Sequence, residues 1–433
     1  MNRWLRDFVF VDDPAKLGRR YLVVTMICFA VGGLLAMAMR WKLAWPDAAV
    51  PVIGELFDWP GGVMPPEVYS RAFTLHGTVM IWLTLVPLAA WGLGLACVPR
   101  LCGVRSPALK FAGGWSLWWL IVGAAILLVA WTGGANAGWT AYAPLGSTEA
   151  IAGGRWVNRE PDVASWLRLH GDVGYPVQSR WPAFVLYAVF VALAGWLGFV
   201  GSRVATLLRT DRAKVAASLR DAGDNQASSN TQNVLLHPVA MQLPRVVVAL
   251  FVFGLAWLLT LGLQIVVFEG QTAWFFVVGW LATGGMLAAA SLLTTVVTRR
   301  RPGRLPLAVW GWATAAAVGL LASPVIVLAM TMNLLDSHGL TEFFHADGQP
   351  LLHQHLFWFY GHPLVYLMIL PAFGLVTDTL ARASRQPAGG AWGYRMMAGS
   401  TVAIGGLGFA VWAHHMFQSG LNPSAALVFS AAT

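Results

Sequence analysis

Long apolar runs alternate with short polar, basic segments along most of the chain. A helix needs about 20 apolar residues to cross a hydrocarbon core of about 30 Å. Because lipid offers the backbone no hydrogen-bond partner, runs of this length must be helical. The pattern predicts an all-α, polytopic transmembrane helix bundle. It has nine spans, at about 21–39, 74–97, 112–132, 182–202, 246–268, 273–297, 306–331, 353–376 and 397–416.

The start of a tenth span comes after the ninth. The apolar stretch from Ala425 to Thr433 is too short to cross a membrane. We therefore expect either that the polypeptide is cut short or that another chain supplies the rest of the bundle.

Basic residues orient the bundle. Placing the N-terminus in the cytoplasm assigns 21 of the 28 Lys and Arg residues to cytoplasmic segments, as the positive-inside rule requires. We expect a multi-pass protein of a bacterial inner (plasma) membrane, in contact with lipid. The net charge of +9 is then a topology signal, and no nucleic acid is expected as a partner.

Composition excludes the other broad classes. Of 433 residues, 57% are hydrophobic and 11% are charged, whereas soluble domains carry about 25% charged residues. Three cysteines are too few for a disulfide framework.

Four histidines lie within the runs or at their ends: His76, His362, His414 and His415. In the predicted orientation all four fall in the outer third of the bilayer, where one site is able to gather them. Ionisable groups in spans are costly and usually functional, and neutral imidazole binds copper, iron or zinc. Each histidine taken singly has an alternative, an interfacial side chain satisfied by water or backbone. Their common depth favours metal binding.

Tyr366 follows His362 by four residues, so both side chains lie on one helical face. A phenol beside a metal-binding imidazole can donate a proton and an electron to a bound oxidant. Pro363 removes a backbone donor next to the histidine.

These residues stand in segments that resemble subunit I of the haem-copper oxygen reductases, the cytochrome oxidases. The resemblance runs from about Asp13 to Thr433 with one insertion. It is carried by Phe73–Met80 (FTLHGTVM), Gly138–Leu145 (GWTAYAPL), Gln354–Tyr366 (QHLFWFYGHPLVY), Ile369–Gly374 (ILPAFG) and Val411–Phe417 (VWAHHMF).

The resemblance implies a role for each candidate residue. His76 would be an axial ligand of a low-spin haem, Arg40 would contact a substituent of that haem, and Trp139 would lie near the haem propionates. The ligands of a copper ion facing a high-spin haem would be His362, His414 and His415. Tyr366 would be joined covalently to His362 and supply a proton and an electron for O–O cleavage.

By the same resemblance, the protein would be subunit I of a terminal respiratory oxidase. It would reduce O2 to water with electrons from cytochrome c or quinol, coupled to proton uptake. The implied partners are other oxidase subunits, among them a copper-bearing subunit for electron entry and a chain that supplies the missing helices.

The sequence departs from the family pattern at its proton-conducting positions. Leu364 stands where the family usually has a glutamate after the copper-site proline. Tyr360 is the residue able to replace that glutamate in relaying protons. The loop after the second span, 98–107, lacks the Asn and Asp that open one proton pathway. The sequence therefore gives no support to proton pumping by that route.

An insertion divides the chain into three parts. Residues 1–150 hold family-like helices one to three, and residues 271–433 hold helices four to seven with the copper site. Residues 151–270 form the insertion, with two extra transmembrane helices and a polar cytoplasmic linker.

The resemblance ends where an eighth family helix would begin, so the remaining axial histidines of both haems are not among the matched residues. Four spare histidines near the outer side are read as loop or interface residues, because axial ligands need rigid helical positions. They are His338, His345, His353 and His355.

Two other functions stay open. One is a truncated or degenerate paralogue or assembly subunit without activity of its own. The other is a nitric oxide reductase of the same superfamily, which is disfavoured because those enzymes use a non-haem iron site with extra carboxylates and lack the tyrosine.

Overall fold

The protein is a bundle of long helices, seen in a computed structural model that describes residues 13–143, 270–298, 304–337, 341–344, 349–384 and 390–433. Within these residues seven helical segments are long and apolar enough to cross a membrane, and their order confirms the predicted fold class. The two spans expected at 182–202 and 246–268, and the polar linker between them, lie outside the described residues.

Six of the seven helices are longer than the apolar runs that predict them, and the last is slightly shorter than its run. The seven are α1 (Pro14–Ala44), α2 (Pro66–Leu101), α3 (Lys110–Thr132), α4 (Gly270–Thr298), α5 (Leu307–Ser337), α6 (Pro350–Ala383) and α7 (Gly390–Leu407). After α7 the chain continues in two 3-10 turns, Gly408–Ala410 and Trp412–Met416, before a last short helix, α8 (Pro423–Ala432). Several helices begin with proline in the first turn, where its missing N–H costs nothing.

Helix α4 lies at the centre of the described bundle, with nearly all of its side chains buried. It packs against α3 on one side and α5 on the other, and α5 in turn packs against α6. Indole N–H groups link these helices. Trp280 Nε1 donates to Trp119 O on α3 over 2.8 Å, and Trp274 Nε1 donates to Thr78 Oγ1 on α2 over 2.9 Å. Such bonds fix the rotation of helices that lipid alone would leave free to turn.

Helices α5 and α6 approach closely through two glycines. A Cβ on Gly311 would overlap the backbone oxygen of Leu370, and a Cβ on Gly374 would lie 3.0 Å from Ala308 Cα. Small residues at such a crossing let two backbones meet. The contact fixes the rotation and depth of α6, the helix that carries His362.

We expect Gly311→Ala to lower the free energy of unfolding by about 1–3 kcal/mol, since the new methyl group would overpack a backbone contact. Unfolding of the purified protein in detergent, followed by circular dichroism, measures the change. Gly399→Ala in α7 is the matched control, because nothing lies within 4 Å of a Cβ there. Equal stability of the two variants would contradict the close packing of α5 on α6.

Helix α2 departs from α-helical geometry at its middle. It is π-helical over Val79–Leu85 and Pro87–Gly92, and such wide turns are frequent near functional sites. The first wide turn presents Trp82, whose ring stacks on Tyr360 of α6 with centroids 5.3 Å apart.

Candidate metal centre

Three histidines from two elements meet beside α6. His362 lies on the fourth turn of α6 and is buried. His414 and His415 lie on the 3-10 turn Trp412–Met416 that follows α7. The sequence predicts them at the end of an α-helical span, whereas the α-helix ends at Leu407.

The imidazole nitrogens of these three histidines, called here the histidine cluster, face one another. His362 Nδ1 lies 3.2 Å from His415 Nε2, and His414 Nε2 lies 3.1 Å from the same atom. One ligand atom from each residue falls within 4.8 Å of the other two. The three rings therefore converge on a common point, as the sequence predicts.

These distances suit a bound metal ion. Imidazole–metal bonds of about 2.0–2.1 Å at near-tetrahedral angles place two ligand nitrogens roughly 3–3.5 Å apart. Three neutral imidazoles with no carboxylate form a donor set that suits copper, iron or zinc, and not magnesium or calcium. The expectation that one site gathers four histidines holds for three, because His76 lies outside the cluster.

Tyr366 lies next to the cluster on α6. The rings of His362 and Tyr366 have centroids 4.8 Å apart at 69°. While His362 Nδ1 faces the other imidazoles, its buried Nε2 has no hydrogen-bond partner. Gly408 leaves room for the phenol, since a Cβ there would lie 2.7 Å from Tyr366 Cδ2. The four-residue spacing thus puts the phenol against the imidazole, as predicted.

Trp358 supports the cluster from the side. Its ring stacks on His415 with centroids 3.9 Å apart and planes at 8°, and its Nε1 donates a hydrogen bond to the Tyr142 hydroxyl. Burial raises the pKa of the Tyr142 phenol, and the bond from Trp358 lowers it in part. Sequence reasoning missed both side chains, although each stands in a segment that carries the family resemblance.

His76 forms a separate candidate site on α2. Its Nδ1 lies 2.9 Å from the backbone oxygen of Gly32 on α1. A carbonyl can only accept, so Nδ1 carries the hydrogen and Nε2 keeps a lone pair for a metal.

The other two residues predicted near a haem lie in different surroundings. Trp139 packs over Gly77, the neighbour of His76, where a Cβ would lie 2.9 Å from Trp139 Cβ. The Trp139 ring also meets Trp358 edge-on at 5.8 Å, so it connects the surroundings of both sites. Arg40 lies near the end of α1 with its side chain exposed.

Tyr360 lines an internal cavity of about 30 Å³ among α1, α2, α3, α4, α5 and α6. Tyr21, Ser116 and Ser323 line it as well, and the hydroxyl groups of Tyr21 and Ser116 are hydrogen-bonded over 2.7 Å. A cavity needs about 10–15 Å³ to hold a water molecule, so there is room for water beside Tyr360. Leu364 is buried nearby on α6.

Two of the four spare histidines lie in a helix and not in a loop, which corrects the loop part of their interpretation. His353 and His355 lie in the first two turns of α6, and His353 is fully buried. The helix begins three residues earlier than the apolar run indicates, because Pro350 starts the first turn. His338 and His345 lie outside the described residues.

The segments that form these sites lie within a match to a known family. A family model described as cytochrome c and quinol oxidase polypeptide I matches residues 16–256 and 229–433. Cytochrome c oxidase subunit 1 of Thermostichus vulcanus is 27% identical over 434 residues, covering 100% of this chain and 55% of the relative. Its counterpart in Bacillus subtilis (strain 168) is 28% identical over 437 residues, covering 99% of this chain and 49% of the relative.

A shorter alignment has higher identity. Alternative cytochrome c oxidase subunit 1 of Bradyrhizobium diazoefficiens is 42% identical over 174 residues, which cover 36% of this chain and 28% of the relative. The chain spans about half the length of the curated relatives that match it over nearly all its residues.

Proposed function

The chain belongs to the cytochrome c and quinol oxidase polypeptide I family, and from that membership we propose that it is subunit I of a terminal respiratory oxidase that reduces O2 to water. Members of this family are haem- and copper-binding membrane oxidoreductases of respiratory electron transport. The observation that carries the proposal is the convergence of three imidazoles beside a tyrosine.

His362 Nδ1, His414 Nε2 and His415 Nε2 would hold the copper ion. When bound, the copper ion would supply electrons to O2 together with the iron of the high-spin haem. The protein side chains keep the ligand nitrogens in place: α6 positions His362, the turn after α7 positions the adjacent pair, and Trp358 keeps the His415 ring in one plane.

Tyr366 would supply one proton and one electron from its phenol during O–O cleavage. We also propose the covalent bond between a ring carbon of Tyr366 and Nε2 of His362 that the family pattern implies. Forming it breaks one C–H and one N–H bond, and O2 takes up the two electrons and two protons released. The unpartnered Nε2 of His362 supports this, since that nitrogen faces away from the cluster and is free to bond.

His76 Nε2 would be one axial ligand of the low-spin haem, because its other nitrogen is committed to Gly32 O. We assign Arg40 to a substituent of this haem and Trp139 to the propionate region.

Tyr360 would take the part of the missing carboxylate in proton uptake. Tyr360 borders the cavity that Tyr21, Ser116 and Ser323 also line, so we propose that a water molecule there would link the hydroxyls of these four residues. Such a chain passes protons without an acidic group, which fits the presence of Leu364 after the copper-site proline.

The remaining parts of the reaction belong to partners. We propose that a copper-bearing subunit receives electrons from cytochrome c or quinol. We propose further that another polypeptide segment provides the axial histidines that the matched residues lack. We assign the N-terminus to the cytoplasm of a bacterium and residues 1–150, 151–270 and 271–433 to the three parts predicted from the sequence.

Metal analysis of the purified complex tests the proposal. We expect copper near one atom per chain together with haem iron, measured by mass spectrometry of the metals and by pyridine haemochrome spectra. Iron without copper would instead favour a nitric oxide reductase. A folded complex without either metal would favour the degenerate or assembly subunit.

A further inference from the structure

His353 is a fully buried histidine that none of the proposed steps uses. It lies on α6, nine residues or two and a half turns before His362, and its side chain is 0% exposed. A buried imidazole must find hydrogen-bond partners for both nitrogens.

Both nitrogens of His353 are satisfied, and the partners fix the tautomer. Nε2 lies 3.0 Å from the backbone oxygen of Thr140, so Nε2 carries the hydrogen and donates it. Nδ1 accepts from the amide nitrogen of Asn333 over 2.9 Å. The second hydrogen of that amide goes to Ala329 O over 2.7 Å, which orients Asn333 with its nitrogen toward the histidine.

The bond to Thr140 holds a loop that reaches the histidine cluster. Trp139 precedes Thr140 and Tyr142 follows it by two residues, and the Tyr142 ring meets the His353 ring edge-on at 6.4 Å. The Tyr142 hydroxyl accepts the indole N–H of Trp358, and Trp358 stacks on His415. A continuous series of contacts therefore runs from His353 to the cluster.

We propose that His353 is a positioning residue for the metal centre, acting on the plane of His415 through the Thr140–Tyr142 loop and Trp358. The inference rests on the proposed copper site. Histidine suits this position because it combines a donor and an acceptor on opposite sides of a flat ring. A phenylalanine would fill the space but would leave Thr140 O and one hydrogen of the Asn333 amide unpaired in the interior.

The test is the copper(I) affinity of the purified, metal-depleted complex, measured against a competing chelator. We expect His353→Phe to weaken binding about 10–100-fold, the usual effect of losing a group that orients a metal ligand. His353→Gln, whose amide retains a donor and an acceptor, should restore affinity to within a few-fold of the unmodified protein.

Tyr394→Phe is the control for loss of a half-buried side chain that both donates and accepts a hydrogen bond, since the Tyr394 hydroxyl also accepts from Trp310 Nε1. The Tyr394 hydroxyl donates to Leu305 O over 2.8 Å, at the end of α7 remote from the histidine cluster. This variant should bind copper with unchanged affinity. A loss in Tyr394→Phe equal to that in His353→Phe would refute the inference, since the effect would then be general destabilisation.

A double-mutant cycle tests the route through Trp358. Trp358→Phe keeps a ring against His415 but removes the N–H that binds Tyr142. In that background His353→Phe should cause no further loss of affinity, because the connection is already broken. Additive losses would overturn the proposed route.

A second measurement does not depend on the metal. Ultraviolet resonance Raman spectra report the hydrogen bonding of indole N–H groups, and the Trp358→Phe difference spectrum identifies the signal of Trp358. His353→Phe should weaken that signal, and an unaltered signal would overturn the inference. Failure of the unmodified complex to bind copper would contradict the proposed function. The Raman result would still show whether His353 controls the hydrogen bond between Trp358 and Tyr142.

Discussion

Replacing His362 or His414 with alanine should abolish copper binding. A site of three imidazoles loses a ligand in either variant, and the two that remain cannot enclose the ion. Even residues that only orient a ligand are worth 10–100-fold in affinity, so we expect a loss of more than about 100-fold. Copper content of the purified variant complexes, normalised to chain, measures the effect.

His76→Ala is the reciprocal variant. His76 lies in a separate site on α2, where its Nδ1 bonds Gly32 O on α1. The variant should therefore lose low-spin haem absorbance and keep copper. The two cluster variants should show the opposite pattern. Stoichiometric copper in His362→Ala or His414→Ala would refute the assignment of the ligands.

Tyr366→Phe should leave copper bound and slow oxygen reduction by about 10²–10⁴-fold, the usual contribution of a positioned proton donor. The phenylalanine ring fills the same space above Gly408 but has no phenolic hydrogen to give. Oxygen consumption with a reduced donor, per copper-loaded complex, measures the effect.

The Tyr394→Phe variant is also the control for Tyr366→Phe, because it removes a phenol from α7 that lies away from the histidine cluster. Its oxygen consumption should match that of the unmodified complex. Unchanged turnover in Tyr366→Phe would mean that this phenol is structural and that the proton comes from elsewhere.

The spans could be predicted from sequence because crossing a membrane depends on local properties. Each of the seven spans in the described residues overlaps its predicted apolar run. The helix ends could not be predicted as well. Pro350 extends α6 past the apolar run, and the turn after Leu407 ends α7 before its histidine pair, since hydrophobicity does not report backbone geometry.

The candidate metal ligands could also be predicted, from their depth in the spans and from the segments around them. The side chains that hold these ligands in place could not be predicted. Trp358 and His353 look like ordinary members of an apolar helix, and their importance depends on loop residues more than 200 positions earlier in the chain. Hydrogen bonds between such distant residues leave no periodic signal.

The sequence by itself determined that this protein is a helical membrane bundle and that four of its histidines stand within apolar runs or at their ends, because length, polarity and spacing are local quantities. Only the tertiary structure decided that His362 meets a histidine pair more than 50 residues later, with ligand atoms within 4.8 Å. It also decided that His76 lies apart and that a buried histidine holds the neighbouring loop. These outcomes depend on how α5, α6 and the turn after α7 rotate against one another, which close glycine contacts and interhelical hydrogen bonds determine together.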